Sequence, residues 1–180
     1  MKSMPSLRLA ALAAALLASP LQAEDIPRIR LAPGESVTVR FDDGGRIGEP
    51  SRARAKWTGY DVLAARELAG MTPPKEAMPE GIAMGELDGL SPDPIPADEV
   101  RVRFMSIDDK HALLVVENGQ ARGLRYRARM TVDGETKPTD VCIVLPRRPS
   151  YEYWRYRIER VELSDFEFVP WPADRLPTCE

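Results

Sequence analysis

The residues most able to do chemistry in this chain are arginines at alternate positions. They are Arg101 and Arg103 in EVRVRF (99–104), Arg125, Arg127 and Arg129 in GLRYRARMTVDG (123–134), and Arg155 and Arg157 beside Trp154 and Tyr156. A guanidinium offers a planar fork of donors that fits carboxylates and phosphates and stacks on aromatic rings. Strand side chains alternate between two faces, so each arginine row lies on one side and its apolar neighbours on the other. Rows on strands of one sheet would merge into a plate able to hold an anionic polymer, a lipid head group or an acidic protein surface. A plainer reading competes with this. Of the 25 basic residues 20 are arginine, so arginine is the expected cation at any exposed position. Glu117, Glu152, Glu159, Glu162 and Glu167 are spaced to pair across strands, at about 0.2–1 kcal/mol each. The composition favours a solvated face and leaves anionic-ligand binding as the alternative.

Catalytic patterns are thin. His111 is the single histidine and opens an apolar strand pattern, where a structural role is expected before general-base work. No G-x-S-x-G elbow accompanies it, and one histidine with two cysteines is a poor set for zinc or copper. Met71, Met78 and Met84 are spaced for packing rather than for capture of a soft metal. Asp42-Asp43 and Asp108-Asp109 read as turns, and DDGG (42–45) lacks the spacing of a calcium loop. No phosphate-loop or dinucleotide glycine pattern is present. The expectation is a protein that is not an enzyme, with no metal and no cofactor. A hydrolase using two carboxylates distant in sequence stays as a third reading.

The N-terminal residues point to a compartment. Lys2 and Arg8 precede the apolar run Leu9–Leu17, and SPLQA ends at Ala23 before an acidic pair. That order is the pattern of a cleaved secretory signal over residues 1–23, and the run is too short to span a bilayer. The whole chain carries a formal charge of −3; removing Lys2 and Arg8 takes residues 24–180 to −5. An acidic exported protein is a poor nucleic-acid binder. The expected location is periplasmic or secreted. Cys142 and Cys179 are the only cysteines and read as a disulfide tying the C-terminal residues to a core strand.

Residues 24–180 suit one β-rich domain. RIRL (28–31) and SVTVRF (36–41) flank Pro33-Gly34 and predict a hairpin, and SRARAKW (51–57) predicts another strand. Thr58, Asp61 and Gly70 frame a short helix over 58–70. Residues 71–98 hold six prolines and three glycines and predict a long surface excursion. HALLVVENG (111–119) is apolar on both faces, as in a central strand, and Asn118-Gly119 offers a hairpin turn. Asp133-Gly134 ends the next strand, and TDVCIVLP (139–146) follows. Between Tyr151 and Trp171 the apolar parity changes twice, which calls for strand breaks or a bulge.

Short strands with turn chemistry between them predict an antiparallel β-sandwich in the immunoglobulin-like style, with a small β-barrel as the alternative. The Cys–Trp–Cys spacing of antibody domains is absent. The functional expectation is an exported, non-enzymatic binding or protein-interaction module of the bacterial cell envelope. Its partner is an envelope protein, reached through the Pro-rich excursion or YEYWRY (151–156), or an anionic envelope component on the arginines. Burial of Trp154 and Tyr156 in the core is the competing fate of the aromatic segment.

Overall fold

A computed structural model describes residues 28–42, 47–70, 91–172 and 178–179. The signal-like segment, most of the Pro-rich excursion with its three methionines, and all of DDGG except Asp42 lie outside the described residues. Nine strands lie among the described residues: β1 (Ile29–Leu31), β2 (Glu35–Arg40), β3 (Ser51–Arg54), β4 (Glu99–Ser106), β5 (Ala112–Asn118), β6 (Gly123–Val132), β7 (Glu135–Thr139), β8 (Arg148–Trp154) and β9 (Arg160–Val169). They form two antiparallel sheets, ordered β1-β9-β6-β7 and β3-β2-β4-β5-β8. The sheets pack face to face as a β-sandwich, and among the described residues neither closes into a barrel.

The shared core comes from alternation. Ile29, Leu31, Leu124, Tyr126, Ala128, Met130, Val161 and Leu163 from the first sheet meet Val37, Val39, Val100, Val102, Phe104, Leu114 and Val116 from the second. Each fully buried aliphatic side chain of this kind contributes roughly 1.5–3 kcal/mol. That common core explains why the predicted first hairpin does not form. β1 pairs with β9 and β2 pairs with β4, so Ala32-Pro33-Gly34 turns the chain from one sheet to the other. Gly34 anchors the corner by donating its N–H to the Phe104 carbonyl at 2.8 Å. Crossing lets both apolar rows face the same interior, whereas pairing β1 with β2 would put both rows in one layer.

Asn118-Gly119 is a corner as well, not a hairpin turn, because β5 and β6 lie in different sheets. The Asn118 amide donates to the Arg122 and Leu145 carbonyls, at 2.8 and 3.2 Å, and its oxygen accepts from Gln120 N. A Cβ on Gly119 would fall 1.8 Å from the Pro96 carbonyl oxygen, so only glycine fits beneath that chain. Asp133-Gly134 does close a hairpin, between β6 and β7, with both residues at positive φ as its tight turn requires. The predicted strand over 139–146 is mostly absent. Beyond β7 the segment makes only isolated bridges, Leu124 with Val144 and Cys142 with Cys179, while it crosses the side of the sandwich.

Both parity changes after Tyr151 have a visible cause. β8 ends at Trp154 and an irregular stretch leads to β9, which accounts for the first. The register of β6 with β9 then slips between Arg125 and Arg127, and Asp165 takes a φ of 54°. This bulge accounts for the second.

The helix α1 (Gly59–Ala69) forms where its caps predict. Thr58 and Asp61 make a reciprocal capping box, and Gly70 ends the helix in the left-handed region. The helix lies on the outer side of the second sheet, where Ala65 packs with Met105, Ile107, Leu113 and Val115. That second apolar layer is why β5 is buried on both faces. Arg103, predicted to be solvent-facing, lies under this helix with its side chain 7% exposed. It donates from Nη1 to Asp61 Oδ2 and to the Lys56 carbonyl (2.9 Å), and from Nη2 to Asp61 Oδ1 (3.0 Å). Its Nη2 also meets Glu117 Oε1 at 3.4 Å. Burial disfavours the charged guanidinium, but the hydrogen bonds and charges of Asp61, with that of Glu117, outweigh it and raise the Arg103 pKa.

Breaking this pair leaves a charge uncompensated in the interior. Asp61→Asn is expected to lower stability to urea by about 3–5 kcal/mol. The double variant Asp61→Leu/Arg103→Met should recover part of that loss, since it removes both charges but still lacks the Asp61 cap and the Arg103 contact of Glu117. Losses that simply add in the double variant would contradict the pairing.

Candidate functional site: an arginine face on one sheet

The two outer faces of the sandwich differ in cover and in charge. On the second sheet, Arg40, Arg101 and Arg103 are interleaved with Glu99, Glu117 and Asp61. Arg40 Nε donates to Glu99 Oε1 at 2.8 Å and Arg101 Nη2 to Glu99 Oε2 at 2.9 Å. Arg101 Nη1 lies 3.6 Å from Glu117 Oε2. Three cations meet three carboxylates, and the helix covers the inner end of the series.

On the first sheet the outer face has no covering element among the described residues. Arg125, Arg127 and Arg129 stand outward from β6, opposite Glu167, Ser164 and Glu162 of β9. Arg30 of β1 lies opposite Glu162 on the other side, and Arg28 precedes it at the same parity. Arg160 faces outward beside Thr131. Three carboxylates share this surface. Glu162 accepts from Arg30 Nε at 2.6 Å and lies 3.5 Å from Arg28. Glu167 accepts from Arg125 at 2.9 Å, and the bulge residue Asp165 stands 3.9 Å from Arg127. The Arg30 hydrogen bond, with the charges of Arg30, Arg28 and Arg129, holds the Glu162 carboxyl below its ordinary value. Six guanidiniums against three carboxylates leave the face at +3 on a chain whose formal net charge is −3.

The predicted rows therefore divide three ways. Arg125, Arg127 and Arg129 lie together on this face, and the Arg127 side chain is 82% exposed. Arg101 and Arg103 belong to the other sheet and point to the opposite side of the molecule, so the single plate does not form. Arg155 and Arg157 are exposed in the connection from β8 to β9, on neither sheet. Arg28, Arg30 and Arg160 complete the face, although none of them belongs to an arginine row recognised in the sequence. The alternation in RIRL carried the signal, but a hairpin with β2 would have placed it in the wrong sheet.

The other sequence candidates hold local roles. His111 Nδ1 and the Asp108 carboxylate are 2.8 Å apart, and the imidazole stacks on Tyr153. Slight burial opposes ionisation of Asp108, but hydrogen bonds from His111 and the Lys110 amide lower its pKa. Of the aromatic segment, Trp154 is in the core and donates to Thr139 Oγ1 at 3.1 Å, and Tyr151 and Tyr153 pack in the helix-covered layer. Tyr156 alone is open, 51% exposed, with Lys137 over its ring. Among the described residues no group of three or more His, Cys, Asp or Glu is placed to hold a metal.

Along the open side of the sandwich, Cys142 and Cys179 form the expected disulfide. Ile143 N donates to the Thr178 carbonyl at 3.0 Å, so the bonded tail lies against the crossing segment. Glu152 accepts from Cys142 N at 2.8 Å. Burial, opposed by that hydrogen bond and assisted by Asp140, pushes the Glu152 pKa from 4.5 up to about 6. The Tyr126 hydroxyl is buried without a hydrogen-bond partner among the described residues, and burial also raises its pKa.

Comparison with known proteins finds no matching family model, no matching curated protein and no matching solved structure.

The Glu152 site gives stability a pH dependence of its own. Its folded pKa, about 6, exceeds the ordinary 4.5, so between these values the folded chain binds more protons than the unfolded chain. The associated stability is complete below about pH 4.5 and disappears as pH rises through 6, a loss of about 1–2 kcal/mol. Glu152→Gln should flatten this component in urea unfolding measured from pH 4 to 7.5. An unchanged slope would contradict the burial of the carboxyl.

Proposed function

We propose that this domain is an exported, non-enzymatic binding module of the bacterial cell envelope, periplasmic or secreted, that takes an anionic ligand on the outer face of the β1-β9-β6-β7 sheet. The observation that carries the reading is the asymmetry of the two outer faces. On one, the sheet arginines meet carboxylates one for one and are packed under a helix; the other has no covering element among the described residues and sets six arginines against three carboxylates. Exposed ion pairs are worth little, about 0–1 kcal/mol, so the arginines can turn from Glu162, Glu167 and Asp165 to an incoming anion at small cost. A fork of five donors then gives geometry as well as attraction. The signal-like residues 1–23 and the disulfide both suit an oxidising compartment.

A protein partner docking through YEYWRY is less supported, because Trp154 belongs to the core and Tyr151 and Tyr153 pack against the helix layer. Retention of the purified protein on immobilised envelope polymer tests the proposal. Arg125→Gln/Arg127→Gln/Arg129→Gln should lower salt-sensitive retention at least tenfold with stability nearly unchanged, since all three side chains are exposed. Arg155→Gln/Arg157→Gln should leave it intact. Retention indifferent to the triple variant would overturn the assignment.

A further inference from the structure

The layout of the open face bears on the shape of its ligand. Alternate residues of a strand are about 6.8 Å apart, so Arg125, Arg127 and Arg129 span about 14 Å in a straight row. β1 and β6 flank β9, which sets the Arg28 and Arg30 column about 9–10 Å from the β6 column and roughly parallel to it. Between the columns run Ser164, Glu162 and Arg160. A single small anion would use one or two of these forks and leave the rest idle. A line of charges lying along the strands engages both columns.

The surface also separates one kind of polyanion from others. The outward positions of β1, β9 and β6 carry Arg, Glu, Asp, Ser, Thr, Val and Gly, with no aromatic ring in the charged stretch. Trp171 lies at one end, where its ring would be 3.3 Å from a Cβ on Gly123. Bases gain affinity from stacking platforms, and a membrane surface from apolar or aromatic insertion added to its charge attraction. The charged stretch provides neither. A chain of phosphates needs only forks, and each phosphate presents free oxygens to donors on both sides.

Resting on the proposed anion-binding reading, we infer that the ligand is a linear polymer of closely spaced phosphates, laid along β6 and β9 between the two arginine columns. Four to six arginines engage it together, so affinity depends on chain length and falls steeply with salt.

The test uses the full folded chain with long-chain inorganic polyphosphate, orthophosphate, heparin and anionic phospholipid vesicles. Polyphosphate should bind, and its affinity should fall about 10²–10³-fold between 50 and 200 mM salt, the slope expected for four to six contacts. Arg30→Gln, Arg127→Gln and Arg129→Gln should each reduce that slope by about one. Orthophosphate at equal total phosphate should compete poorly. Equal competition by orthophosphate would overturn the polymer inference while sparing the anion-binding face. Tight heparin or vesicle binding without polyphosphate binding would overturn the phosphate assignment alone. If none of the four binds and the triple arginine variant leaves envelope retention unchanged, the underlying reading falls with it.

Discussion

The Arg103–Asp61 pair decides which surface of this sandwich is available. Asp61 closes the helix cap through Thr58 N at 2.7 Å and also receives both terminal nitrogens of Arg103. One carboxylate thus shapes the helix and fastens it to the sheet. Two charges this deep are stable only when paired and further hydrogen-bonded, and Lys56, Glu117 and Tyr151 supply those contacts. The helix then covers Met105, Leu113 and Val115, which would otherwise be an exposed apolar patch.

With one outer face committed to the helix, the other has no cover among the described residues, and the charges follow that division. Carboxylates match guanidiniums one for one around Glu99 and Glu117, where burial makes an unpaired charge expensive. On the open sheet no such demand exists, and three guanidiniums exceed the local carboxylates. The bulge at Asp165 contributes here too, because it restores the inward parity of Phe166 while setting a carboxylate beside Arg127. Packing and surface charge are therefore linked through one register slip.

Features set by neighbouring residues were legible in the chain. Thr58, Asp61 and Gly70 announced the helix and its limits, and the unbroken Leu113–Val116 run announced a strand covered on both sides. The parity changes after Tyr151 called for strand breaks or a bulge, and the chain has one of each. Sheet membership was not legible. Pro33-Gly34 and Asn118-Gly119 serve a hairpin or a corner between sheets equally well, and only the distant pairings with β9 and β4 settle the choice. The arginine face inherits that ambiguity. Its β6 row was visible from alternation, but Arg28, Arg30 and Arg160 join it only through β9. Arg101 and Arg103 fall outside it because β4 belongs to the other sheet, and Arg103 is buried as well by a partner 42 residues away, in a residue whose capping role already explained its presence.

Side-chain NMR of the arginine Nε–Hε groups during titration with polyphosphate reads each guanidinium separately and so locates the anion on the molecule. Binding on the β1-β9-β6-β7 face shifts Arg30, Arg125, Arg127 and Arg129 and leaves Arg101 and Arg103 unmoved on the helix-covered side. Shifts centred on Arg101, Arg155 or Arg157, with the β6 row silent, would contradict it.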